Sequence, residues 1–128
     1  MKRRVPRTQP ISIPLPGKPV RGSRSGAPVM ALLDLMGRRW ALGILWTLGT
    51  QAPLSFSELL ERCHSISPGV LNTRLKELVA ARLVEPADAA YGLTKQGRQL
   101  FEFMQPLGKW AREVWAEIVA AAPGHRSR

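Results

Sequence analysis

The 128-residue chain has one cysteine, two histidines and no long apolar run. With Cys63 alone, an internal disulfide is precluded, which fits a reducing cytoplasm. No Cys/His spacing suits zinc and no glycine-rich loop suits a phosphate, so neither metal nor cofactor is expected. His64 directly follows Cys63, and neighbouring side chains on a helix diverge by about 100°, which rules against a base-activated thiol. Cys63 also falls at an apolar position of its helix and reads as core. The inventory for catalysis is too thin for an enzyme. The most apolar helical stretch, Trp40 to Leu48, is far shorter than a membrane span. Pro6, Pro10, Pro14, Pro16 and Pro19 interrupt any signal-peptide core, so a cytoplasmic protein without a membrane partner is expected.

Acidic residues are scarce, nine against nineteen Lys and Arg, for a net charge of +10. Lys2, Arg3, Arg4, Arg7, Lys18, Arg21 and Arg24 fall within residues 1–26 without one acid, so that segment holds +7 and residues 27–128 hold +3. Five prolines and three glycines there, with few bulky apolar groups, predict a disordered basic tail. Lys2, Arg3, Arg4 and Arg7 are its candidate DNA contacts, as in basic arms that follow phosphates or a minor groove. A 27–122 domain and a flexible 123–128 end complete the expected organisation.

What is present is most concentrated from Ser55 to Gly97. Ser55 and Glu58 form a capping box, so a short helix starts at Phe56, buries Phe56, Leu59, Leu60 and Cys63, and stops near His64. Ser67 supplies the next N-cap with Pro68 at the first helical position, predicting a second helix from Pro68 to Ala81. Leu71, Leu75 and Leu78 form its buried stripe. Gly69, Val70, Asn72, Thr73 and Lys76 then face outward near a positive helix end, where small and amide side chains meet base edges and phosphates; Ser67 and Arg74 complete the candidate set. Leu83-Val84-Glu85 and Tyr91-Gly92-Leu93, around a Pro86 to Ala90 turn, read as a hairpin. The pattern is a mainly α winged helix-turn-helix with a small β-hairpin wing, and it points to duplex DNA.

Thr94 caps a long helix from Lys95 to Val119 that Pro106 should kink or split. Leu100, Phe103, Leu107, Ala111, Val114 and Ile118 make one stripe, widened by Phe101, Met104, Trp110 and Trp115 beyond what a small domain covers. Leu100, Phe103, Leu107, Trp110, Val114 and Ile118 are therefore expected at a homodimer interface. Val29 to Met36 and Trp40 to Leu48 read as core helices, with Gly37 and Gly49 at their C′ positions.

Gly37-Arg38-Arg39-Trp40, Phe56-Ser57-Glu58-Leu59, Ile66-Ser67-Pro68, Val70-Leu71, Arg74-Leu75, Glu77-Leu78, Leu83-Val84, and Tyr91-Gly92-Leu93-Thr94 with Gly97 resemble the HxlR-type transcriptional regulators, a MarR-like winged-helix branch. The resemblance covers residues 27–119. It implies a prokaryotic, nucleoid-associated DNA-binding homodimer, with the helix from Pro68 reading the major groove and the N- and C-terminal helices pairing. Three positions depart from the pattern. Ala27 stands where members commonly carry a cysteine, which excludes thiol sensing at that site. Arg82 replaces the glycine that ends the recognition helix, and Glu85 and Asp88 make the wing acidic. Two further readings stay open: a regulator whose dimer interface admits a small aromatic effector among Trp110, Trp115, Met104 and Phe103, and a protein-interaction adaptor that never touches DNA.

Overall fold

The computed structural model describes residues 11–122. Its elements are α1 (Pro28–Met36), α2 (Ala41–Gln51), α3 (Phe56–Arg62), α4 (Pro68–Ala80), β1 (Val84–Ala87), β2 (Ala90–Leu93), α5 (Lys95–Trp110) and α6 (Ala116–Ala121), with a π-helical turn over Ala111–Trp115 joining the last two. Helices α1 to α5 and strand β1 meet over one core. Ile44, Leu45 and Leu48 of α2, Leu59 of α3, Leu71, Leu75 and Leu78 of α4, and Val84 of β1 are its fully buried side chains. The winged helix-turn-helix expected from the sequence is the fold observed.

Both central helices run differently from their expected limits. Trp40 is not the first residue of α2 but its N-cap, left-handed at φ 76°, with the Arg39 guanidinium 5.5 Å above its ring. At the other end α2 continues through Gly49 to Gln51. Gly49 is thus no C′ residue: it lies against the Phe101 ring, where any Cβ would collide. Phe101 in turn meets Trp46 edge-on at 5.1 Å, so the missing side chain is what lets α5 dock on α2. Gly37 caps α1 in the right-handed region, φ −79°, and its conformational freedom goes unused.

Helix α4 ends one residue before Ala81, and the terminus it builds was expected to suffer from Arg82. Arg82 adopts the left-handed C′ conformation regardless, φ 64°. Its N–H reaches the Val79 carbonyl at 2.9 Å and the Leu83 N–H reaches that of Leu78 at 3.0 Å, the paired bonds of a Schellman cap. The Thr94 hydroxyl donates to the Arg82 carbonyl at 2.7 Å, holding it there.

In the wing, β1 and β2 are antiparallel and Pro86 lies within β1, opposite Tyr91, rather than in the turn. The turn is shorter than expected, with Asp88 at φ 55°. Pro86 is tolerated because Tyr91 directs both its N–H and its C=O to Leu54, at 2.8 and 3.1 Å, so the Pro86–Tyr91 pair needs no ladder bond. Leu54 thereby adds an isolated β-bridge at the edge of the two-stranded sheet, which no local pattern in the sequence announces.

Pro106 does not split the last helix; α5 runs unbroken through it to Trp110. Pro106 and Glu102 are both exposed, so the carbonyl that loses its partner can turn to water. The irregularity comes five residues later, where the Ala116 N–H reaches back to the Ala111 carbonyl.

Residues 11–26, expected as disordered, form a strap of turns instead. Gly17 N–H donates to the Gly26 carbonyl, Val20 and Ser23 exchange both backbone bonds, and the Ser23 hydroxyl accepts from Gly26 and Ala27. The Arg21 N–H donates to Asp34 on α1 and Ile13 packs on the core. Proline and glycine here shape a compact turn rather than prevent one. Lys2, Arg3, Arg4 and Arg7, and residues 123–128, lie outside the described residues.

Candidate nucleic-acid interface

Two caps aim the helix-turn-helix. The Ser55 hydroxyl accepts from the Glu58 N–H at 3.1 Å while the Glu58 carboxylate accepts from the Ser55 N–H at 2.8 Å, the reciprocal box expected. That backbone bond, then the hydroxyl, holds the Glu58 carboxyl below the usual carboxylate range. Ser67 starts α4 by accepting from the Val70 N–H at 3.1 Å, with Pro68 next. Between the helices Ser65 takes a left-handed turn, φ 62°.

Helix α4 then separates cleanly into two faces. Leu71, Leu75 and Leu78 are fully or almost fully buried, whereas Ser67, Gly69, Val70, Asn72, Thr73 and Lys76 are exposed along its outward side. Small side chains at the N-terminal end leave backbone N–H groups accessible, and the helix dipole makes that end positive. Among the described residues Lys76 forms no ion pair. The surface can therefore offer amide, hydroxyl and ammonium groups to base edges and phosphates.

Arg74 has a different task. Its Nε donates to the Arg39 carbonyl at 2.8 Å and its Nη1 to the Glu77 carboxylate at 3.2 Å, so its guanidinium braces α4 from the side instead of standing free for DNA. Glu77 is the one buried charged residue among those described, and Arg38 holds its other oxygen at 2.8 Å. The Arg38–Glu77 ion pair and the Arg74 bond to the Arg39 carbonyl tie α4 to the corner between α1 and α2, while the Arg74–Glu77 pair stays within the helix. Apolar periodicity gives no sign of this carboxylate, because Glu77 lies beside the leucine stripe rather than on it. Arg39, exposed on the same corner, is a further cation that was missed.

The wing adds no positive charge at its tip, where Glu85 and Asp88 are exposed. Cys63 is buried at the end of α3, and burial pushes its thiol pKa up, so it stays protonated near neutral pH.

On α1 and along the α5–α6 helix, Val29, Leu33, Phe103, Leu107, Trp110, Val114, Trp115 and Ile118 are exposed. Leu100, grouped with them on sequence grounds, is half-buried against the core instead, and Phe101 and Met104 lie inside it. A cavity of about 700 Å³ opens between α1, α2 and α5, lined by Leu32, Met36, Trp46, Phe103 and Met104 among others. Of the four residues expected around a pocket at the dimer interface, Phe103 and Met104 border this cavity within one protomer, and Trp110 and Trp115 are not among its lining. No described helix is long and apolar enough to cross a membrane.

Comparison with known proteins converges on one family. The family model for HxlR-like helix-turn-helix proteins matches residues 35–118. The HTH-type transcriptional regulator YybR of Bacillus subtilis is 30% identical over 100 residues, covering 73% of this chain and 79% of that protein. The crystal structure of quinone-bound YodB from B. subtilis superposes with a TM-score of 0.63 at 32% identity, covering 67% of this chain and 97% of that one. A structure from Thermoplasma volcanium, described as that of a possible HxlR family transcriptional factor, gives a TM-score of 0.59 at 26% identity, covering 66% and 82%. With its capped α3–α4 pair, wing and matched span, the chain belongs to the HxlR-like helix-turn-helix transcriptional regulators.

Proposed function

We propose that this regulator binds duplex DNA in the cytoplasm as a homodimer, placing α4 of each protomer in successive major grooves. The observation that carries the reading is the division of α4: one face locked by Leu71, Leu75, Leu78 and the Glu77 ion pairs, the other exposed from Ser67 to Lys76. Asn72 and Thr73 read base edges, while Lys76 and the amides after Ser67 hold phosphates. The exposed apolar residues of α1 and of the α5–α6 helix meet their copies in the partner, spacing two half-sites about 34 Å apart. The basic N-terminal segment adds phosphate contacts without sequence information. Membership of a transcription-regulator family speaks against the adaptor alternative.

Replacing Asn72 and Thr73 together by alanine tests the reading directly. Specific affinity should fall by about 1–3 kcal/mol for each side chain that reads a base edge, with non-specific binding nearly spared. Lys76→Ala should instead weaken all sequences together. Full specificity in the dimeric double variant would remove α4 from base reading.

A second reading, effector control, is favoured by the apolar cavity between α1, α2 and α5, which suits a small aromatic compound. The quinone-bound state of YodB shows that a related protein takes a ligand. Ala27 and the protonated, buried Cys63 leave this chain to respond through such a cavity rather than through a thiol.

A further inference from the structure

We propose that Arg38 is a positioning residue through which the N-terminal strap sets the pose of the recognition helix. A single nitrogen of Arg38, Nη1, carries two hydrogens and uses both: one goes to the Ser12 carbonyl of the strap at 2.9 Å, the other to the Glu77 carboxylate of α4 at 2.8 Å. The strap is joined to the DNA-facing helix across one guanidinium, although Ser12 and Glu77 are 65 positions apart in sequence. Glu77 is buried and has no described partner besides Arg38 and Arg74, so a change at Arg38 is felt directly by α4 as well as by the strap. The strap end is held independently: Ile13, the next residue, packs on the core. Docking of Ile13 fixes where the Ser12 carbonyl sits. That carbonyl fixes the guanidinium, and the guanidinium fixes the carboxylate of a helix whose displacement by even 1 Å would spoil hydrogen bonds to base edges.

The inference rests on α4 reading DNA, yet part of its test does not. In the full-length chain, Ile13→Asp should undock the strap while leaving every helix its own core residues. Amide exchange in the C-terminal half of α4 should then quicken by about fivefold, as it should in Arg38→Ala. Ile13 also borders the end of α4 beside Ala80 and Ala81, so the share carried by Arg38 is read from the double variant, whose exchange should rise by clearly less than the product of the two single effects. Specific DNA affinity in Ile13→Asp should drop about fivefold more than non-specific affinity, which the added carboxylate in the basic segment lowers on its own, a difference that loss of general stability would not produce. Should Arg38→Ala fail to fold, Arg38→Lys, which keeps a cation beside Glu77, takes its place in the cycle. Additive effects, or wild-type α4 exchange in Ile13→Asp, would overturn the coupling. A chain that binds no duplex would remove the proposed function, while the exchange cycle would still decide whether strap and helix are linked.

Discussion

Glu77 and Arg82 show how single residues settle the ends and the tilt of α4. A carboxylate withdrawn from water is costly unless paired, and here each oxygen meets a guanidinium that itself keeps some exposure, 30% for Arg38 and 20% for Arg74. Glu77→Gln preserves shape but leaves two cations facing each other. Stability should fall by about 2 kcal/mol, toward the low end for broken buried pairs because both arginines retain water. A thermal melt should register this as a decrease of roughly 10 °C, and an unchanged midpoint would mean the carboxylate has no net part in stability. Arg82 acts in the opposite direction. Its left-handed backbone carries a Cβ penalty that the Schellman bonds and Thr94 sustain rather than remove. Arg82→Gly should therefore stabilise the fold by about 0.5–1 kcal/mol once the glycine's entropy in the unfolded chain is set against the relief. Denaturant midpoints of the two proteins decide it, and a destabilised Gly variant would mean that the Arg82 side chain contributes packing worth more than the strain.

At the scale of elements, α5 docks on the junction between α4 and the wing through a close backbone approach. Gly97 faces the Leu83 carbonyl so tightly that any Cβ would overlap it, while the Thr94 N–H donates to that same oxygen at 3.1 Å. Gly97→Ala should push the start of α5 away from the base of the wing and cost about 2–3 kcal/mol, a size typical of overpacking against unyielding backbone. Urea unfolding would show it, and a neutral substitution would mean that the junction yields. The same elements mark what the sequence made legible. Helices α3 and α4 were readable because caps, proline and apolar spacing are local signals within one or two turns. Three features escaped because each depends on a partner distant in the chain: Gly49 serves to admit the Phe101 ring, Leu54 bridges only to Tyr91, and the strap meets Arg38 and the core. The outward residues of α4 could be named from periodicity alone, but the withdrawal of Arg74 into an ion pair could not, since its acceptors belong to a corner 35 residues earlier and to the unnoticed Glu77.

For the whole molecule, charge and apolar surface are segregated. Residues 1–26 hold +7 of the net +10, leaving the remainder close to neutral, while the flank formed by α1 and the α5–α6 helix exposes Phe103 at 76%, Leu107 at 62% and Ile118 at 58%. Each such side chain covered by a partner contributes about 1.5–3 kcal/mol, and two tryptophans, Trp110 and Trp115, stand half-exposed on the same helix. Surface of this kind on a small chain is more costly to leave in water than to pair with its own copy. Sedimentation at micromolar concentration should thus show twice the 14.2 kDa chain mass. Phe103→Glu places a carboxylate at the start of the exposed row, on its most exposed side chain, without touching the core, since Phe103 points outward where its neighbours Phe101 and Met104 point in. The variant should keep its helical spectrum and sediment as a monomer. It should also lose most of its affinity for a two-half-site duplex while binding a single half-site as well as the parent chain does, because the two recognition helices are then no longer linked. A Phe103→Glu protein that remains dimeric would place the interface elsewhere, and a parent chain that sediments as a monomer would leave the apolar row for some partner other than itself.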